Sequence, residues 1–375
     1  AGERMILHYT TEPLVRMECA ALLTKYFYCQ KHPDDPDEPY DIESYFGALC
    51  QRRHIPKEVI KERFSHFIPP LSALYRDMAQ EAGRIPPDAA SLFFDQPDSE
   101  FSSPAMALSA ILEKGIRLRD IADEGMRAAV RFQIASTISD VDLKGFDEEA
   151  ADYSEAALIR SLEQSGDLPE TNWKALMVWR HTDEYLDRLE SLLRAPAEAY
   201  RKHIPALQPL FEEAIALVKA RLAQDPRRAL EEHYHLLLDV DEITVRPQAA
   251  ILAGATLRIM TGELDERLMM VGCCFEQLRS LADTDEEQTA ALARQLKSID
   301  DRQRLKILSA LKQAPLCGQD VCALTGLSPA TVSHHMNALV DNAFITIEKA
   351  GTRINYRQSP ERIRSFLKEL SDYLL

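Results

Sequence analysis

Leu14, Met17, Ala21, Leu22 and Tyr26 recur at spacings of three and four, the period of a helix that buries one face. The same period predicts further helices to about Ala82, from Ala105 to about Thr137, from Glu148 to Gln164, from Leu168 to Leu193 and from Pro205 to Ala223. Two stretches interrupt it. Residues 32–39 carry Pro33, Pro36 and Pro39 among acidic residues, and residues 84–104 carry Pro86, Pro87, Pro97 and Pro104. Because proline lacks an amide donor and crowds the preceding turn, both are expected to be loops. Between Asp241 and Phe275 the pattern turns to strand formers: Ile243-Thr244-Val245, Ala255 to Met260, and Leu268 to Val271, with a turn at Thr261-Gly262-Glu263. A small antiparallel sheet is expected there, joined by a β-like start at Met5 to Tyr9. Asp283 to Lys297 then predicts a linking helix.

The last 75 or so residues carry the most informative pattern. Leu305, Leu308 and Leu311, with Ile307 beside them, predict a first buried helix. A short helix from Gly318 to Leu324 follows, then a turn through Gly326. Ser328 is a good N-cap and Pro329 a good first helical residue, so a third helix starts there, with Val332, Met336 and Leu339 inward. Its outward polar groups, on Ser328, Thr331, Ser333, His334, His335 and Asn337, stand where a recognition helix meets base edges. Phe344 to Lys349, a turn at Ala350-Gly351-Thr352, and Arg353 to Arg357 predict a hairpin whose Lys349, Thr352, Arg353 and Arg357 suit phosphates. A closing helix, capped by Ser359 and Pro360, has an apolar stripe of Ile363, Phe366, Leu367, Leu370, Tyr373 and Leu374. That stripe is too broad to leave in water, and it is expected to meet its twofold mate.

At 375 residues and 46% hydrophobic content the chain can bury a full core. No run approaches a membrane span, and the first residues lack the layout of a secretory signal, so a cytoplasmic protein is expected, with Met5 as its native start. The seven cysteines are irregularly spaced and form no Cys-x-x-Cys pair, which suits a reducing compartment and disfavours a zinc ribbon. A net charge of −16 would repel a polyanion, but it is unevenly placed. From residue 300 onward there are ten Lys/Arg against eight Asp/Glu, which leaves 34 against 52, a net of −18, for the earlier residues. The acidity thus belongs to the N-terminal part. None of the phosphate-binding, dinucleotide, nucleophile-elbow or zinc-protease motifs occurs, and no catalysis and no cofactor are expected.

Helix, helix, turn, polar helix, basic hairpin and closing helix together resemble the ArsR family of winged-helix repressors. The stretches that carry the likeness are Arg304 to Leu308, Leu327 to His335, and Gly351 to Tyr356. The resemblance implies a homodimer on an inverted-repeat operator in double-stranded DNA, with the recognition helix in the major groove and the wing on the flanking backbone. Of the family's thiol site, Cys317 matches the first ligand, while Gln319 stands where the second belongs. Its other common site needs histidines on the closing helix, and residues 359–375 contain none, so no metal is expected. His233, His235, Cys273 and Cys274 are read as core or helix-end residues, and Trp173 and Trp179 as separate packing contacts. The expected architecture is mainly α: an N-terminal helical domain with a small antiparallel β-sheet (5–282, sheet near 241–275), a linker helix (283–298), and a C-terminal winged helix-turn-helix domain (299–375). The larger domain is expected to modulate DNA affinity through a small-molecule or protein effector. A protein-interaction adaptor and a metal- or thiol-responsive sensor are the alternatives.

Overall fold

The computed structural model describes residues 5–374 apart from 34–38, 54–56, 96–102, 140–151, 165–167, 235, 237–241, 261–265, 282–284 and 351–352. Strand β1 (Ile6–Tyr9) leads into helices α1 (Val15–Lys31), α2 (Ile42–Arg53), α3 (Lys57–Phe64) and α4 (Ile68–Ala82). The stretch 84–104, expected to be a loop, contains a short helix α5 (Pro87–Phe93), because proline is tolerated in a first turn. The helix expected from Ala105 to Thr137 is two helices, α6 (Pro104–Glu113) and α7 (Glu124–Ile138). Gly115, at φ +65°, turns the chain after the first, and Asp123 caps the second by accepting from the Met126 amide. Helices α8 (Glu155–Gln164) and α9 (Pro169–Arg180) follow.

The longest element, α10 (Thr182–Arg221), runs 40 residues through Pro196, Pro205 and Pro209. The sequence pattern divides this region at its prolines, since each costs about 3 kcal/mol inside a helix. Burial overrides that cost. Leu186, Leu189, Leu193, Ala197, Tyr200, Leu207, Leu210, Phe211, Ala214 and Val218 form one buried stripe, and each large apolar side chain contributes roughly 1.5–3 kcal/mol. Most of the stripe belongs to a helical core built with α1, α4 and α6.

After α11 (Pro226–Glu232), strands β2 (Glu242–Gln248), β3 (Ala255–Met260) and β4 (Glu266–Gly272) make a sheet in the order β1-β2-β4-β3. The expected antiparallel pair is present as β3 with β4, but β1, β2 and β4 run parallel, so the sheet is mixed. Parallel pairing requires long connections, which α1 to α11 supply between β1 and β2. Ile243, Val245, Met269 and Val271 cover the far end of α10 at Ile215, Val218 and Leu222, forming a second core. A side chain at Gly272 would place a Cβ 2.3 Å from the Leu252 carbonyl oxygen, so only glycine lets β4 end against that loop. The same loop holds a buried carboxylate. Glu18 Oε2 accepts from the Ala249 and Ala250 amides at 2.8 and 3.1 Å and from Tyr200 Oη at 3.0 Å, while Oε1 has no partner among the described residues. Burial pushes the Glu18 pKa up to about 7, against the pull of these hydrogen bonds.

Helix α12 (Phe275–Ser280) and α13 (Asp285–Ile299) lead to α14 (Arg302–Leu311), α15 (Gly318–Thr325), α16 (Pro329–Asp341), the hairpin β5 (Ile345–Ala350) and β6 (Arg353–Gln358), and α17 (Pro360–Leu374). A third core gathers Leu292, Ile307, Leu308, Leu311, Val321, Val332, Met336, Leu339, Phe344, Ile345 and Phe366. Leu305, expected to be buried, is 54% exposed, because the inward arc of α14 is centred on Ile307 and Leu311.

The Gly272 contact yields a stability prediction. Gly272→Ala should cost about 2 kcal/mol or more, since the atoms in the way are backbone and cannot swing aside. A lowered urea midpoint at unchanged slope would show it; an unaltered midpoint would mean that the loop at Leu252 yields freely.

Candidate nucleic-acid interface

The start of α16 is set by local chemistry. The Ser328 hydroxyl accepts from the Thr331 amide at 3.3 Å and lies 2.8 Å from the Thr331 hydroxyl, and Pro329 occupies the first turn, where no amide donor is missed. Before it, Gly326 at φ +72° ends α15. Val332, Met336 and Leu339 are buried on one side, which leaves Thr331, Ser333, His334 and Asn337 exposed on the other. His335 was expected to project with them. It is half-buried instead, with its side chain 12% exposed and Nδ1 3.9 Å from Asp301 Oδ1.

That aspartate is the N-cap of α14. Its Oδ1 accepts from the Gln303 and Arg304 amides at 2.8 and 2.9 Å. The bond from the Arg304 amide, with the Gln303 amide and the nearby Arg304 charge, holds its carboxyl below the usual range, against desolvation. One carboxylate thus caps the first helix and faces the helix that presents the polar row. Asp301 was missed in the sequence because the contact with His335 is tertiary, although Asp before Arg302 is itself a cap signal.

In the wing, β5 and β6 pair from Ile345 opposite Gln358 to Ala350 opposite Arg353. A further bridge between Leu316 and Tyr356 adds a short third strand. Arg357, expected to face phosphate, donates through Nε and Nη2 to the two oxygens of Glu348, its Nη2 lying 3.2 Å from Oε2. The two sit diagonally across the hairpin, so the register could have announced the pair. Thr352 and the side chains of Lys349, Arg353, Tyr373 and Leu374 lie outside the described residues, as does the turn at Gly351. On α17, Ile363 and Leu370 pack half-buried on the third core, Phe366 is 1% exposed within it, and Leu367 is 55% exposed. Phe366 is therefore an internal core residue of this chain and is not available to a twofold mate.

Among the described residues no group of three or more His, Cys, Asp or Glu is placed to hold a metal. Cys317 is buried at the N-cap of α15, and Cys322 packs on the third core. Cys273 and Cys274 lie in the turn after β4, where their sulfurs are 3.9 Å apart and both buried. His233 and Tyr234 bond Glu276, and His235 lies outside the described residues.

Residues 301–346, from the cap of α14 into β5, match the family described as bacterial regulatory protein, arsR family. The arsenical resistance operon repressor of Staphylococcus aureus is 34% identical over 76 residues, which are 20% of this chain and 73% of the relative. The chain belongs to the ArsR family. Another arsenical resistance operon repressor, from Staphylococcus xylosus, is 39% identical over 66 residues, 18% of this chain and 64% of that protein. A transcriptional repressor SmtB homolog of Synechocystis sp. is 25% identical over 88 residues, 24% of this chain and 67% of the relative. No solved structure gives a significant match. The part that the family model matches lies within the C-terminal module. Among the described residues no helix is long and apolar enough to cross a membrane.

The Asp301 cap yields a prediction with a defined pH dependence. Asp301→Ala should cost the C-terminal module about 1 kcal/mol at neutral pH. Because the folded carboxyl is depressed, its contribution is present above the unfolded pKa and is lost as pH falls through the folded one. Denaturation of both proteins from pH 7 to pH 2 should therefore show the difference closing only at the acid end; a difference that persists there would assign the effect to packing.

Proposed function

We propose that the chain is a DNA-binding transcriptional regulator, a repressor that binds an inverted-repeat operator as a homodimer. Residues 299–375 form its DNA-binding domain, 283–298 its linker helix, and 5–282 a regulatory domain that sets affinity in response to an effector. The observation that carries this reading is the two-sided character of α16. Its buried face is anchored in the third core, and its free face offers hydroxyl, imidazole and amide groups with no Lys or Arg among residues 329–341. Such a face suits hydrogen bonding to base edges, and phosphate contacts fall to the wing. The relatives' names as repressors support the same reading. No catalytic step belongs to it.

The dimer is placed on the exposed part of α17. Leu367 on α17 and Leu296 on α13 are 55% and 41% exposed on neighbouring helices. Leu367→Asp should give a folded monomer in light scattering, whereas Phe366→Asp should unfold the C-terminal module. A folded Leu367→Asp dimer would move the interface elsewhere.

Footprinting of the full chain on genomic fragments would identify the operator and permit the second test. His334→Ala or Ser333→Ala should cost roughly 1–3 kcal/mol on the operator and little on random sequence. Arg353→Ala should weaken both duplexes alike and reduce the salt slope by about one unit. If none of these changes alters binding, the winged helix is not the DNA-binding surface.

A further inference from the structure

Among the described residues, β6 is the one strand paired along β5. On its other side Leu236, from the segment after α11, forms a parallel β-bridge with Ile347. The wing sheet therefore runs Leu316, β6, β5, Leu236, and a residue of the N-terminal body closes the edge that β5 would otherwise leave open.

Leu236 is firmly held from behind. Its amide donates to the Leu230 carbonyl at 2.8 Å, and its side chain packs on the second core. Two residues earlier, Tyr234 Oη donates to Glu276 Oε1 at 2.6 Å, while His233 Nε2 lies 3.1 Å from the same oxygen and Arg221 Nε 3.8 Å from Oε2. Burial alone would raise the Glu276 pKa; the bonds from His233 and Tyr234, together with nearby positive charge such as that of Arg221, leave the carboxyl below its ordinary value. A second approach lies nearby: Arg228 of α11, paired first with Glu232, also feels Glu361 at the start of α17. The body that carries these anchors includes the region of net −18, and the strand it grips carries the wing. A net negative body docked on the strand that carries the wing opposes the approach of a duplex, the more so at low salt.

We propose that this bridge is an autoinhibitory clamp, in which the N-terminal body docks on β5 through Leu236 and lowers the affinity of the wing for DNA until the segment is released. The clamp rests on the DNA-binding reading above. An effector that bound the undocked body more tightly would act as an inducer of DNA binding, and one that bound the docked body as its opposite.

The test uses the full chain with Leu236→Pro, which removes the amide that seats the segment, and Glu276→Gln, which loosens its anchor. Hydrogen exchange reports whether β5 is released, and titration with a random-sequence 30-base-pair duplex at several salt concentrations reports its effect. Release should speed exchange of the outward β5 amides about tenfold or more, with α10 amides unchanged. Duplex affinity should rise about three- to tenfold at low salt, the gain shrinking as salt increases. Unchanged β5 exchange in both variants, or faster exchange with unchanged or weaker binding, would overturn the clamp. Should Leu236→Pro also lose α10 protection, Glu276→Gln decides by the same measures. Failure of the DNA reading has a different signature: no duplex bound by wild type or either variant at any salt, which removes the inhibitory role whatever β5 does.

Discussion

Burial along a single stripe of α10 links the parts of this protein. At one end the stripe closes the helical core against α1, α4 and α6; at the other, Ile215, Val218 and Leu222 seat the mixed sheet. A helix of this length is about 60 Å long, so its continuity through Pro196, Pro205 and Pro209 ties the two cores to one element. The sheet then fixes α12, whose Glu276 seats Tyr234, and Tyr234 lies two residues from the bridge to β5. The position of the wing edge thus traces back, contact by contact, to a helix whose sequence contains three strong reasons to break.

What was legible in the sequence was local. Ser328 and Pro329 start α16, Gly326 ends α15, and the alternation of Ile345 to Ala350 with Arg353 to Gln358 makes the hairpin, all within a few residues of the signals that specify them. The strand segments of the larger sheet were legible for the same reason. Their arrangement was not, because β1 and β2 pair across more than two hundred residues and nothing in either short strand names its partner. The continuity of α10 was hidden because proline is a strong local breaker and the burial that defeats it is tertiary. Leu305 was misplaced by a small rotation of the helical arc, which a three-residue spacing of leucines cannot resolve.

At the candidate interface the division is similar. The exposed row of Thr331, Ser333, His334 and Asn337 follows from the burial of Val332, Met336 and Leu339, and periodicity reveals both together. The partners that qualify individual roles come from elsewhere in the fold: Asp301 opposite His335, and Glu348 beside Arg357. An exposed ion pair of the second kind is worth little and yields readily to a better anion, so Arg357 is restrained and not consumed. On the proposed reading, the lack of Lys and Arg on α16 leaves electrostatic attraction to the wing and discrimination to the helix.

Glu18 gives the N-terminal core a chemical dependence that its packing alone does not suggest. With a folded pKa of about 7 against an ordinary 4.5, the carboxyl binds its proton more tightly in the folded chain. The contribution of this group to stability is therefore complete below the unfolded pKa and is lost as pH rises through the folded one. Between those values unfolding expels a proton into the medium, and the heat absorbed on melting contains the ionisation enthalpy of whichever buffer accepts it. A residue with almost no exposed surface thus makes the solvent's own acid–base chemistry a participant in the unfolding reaction.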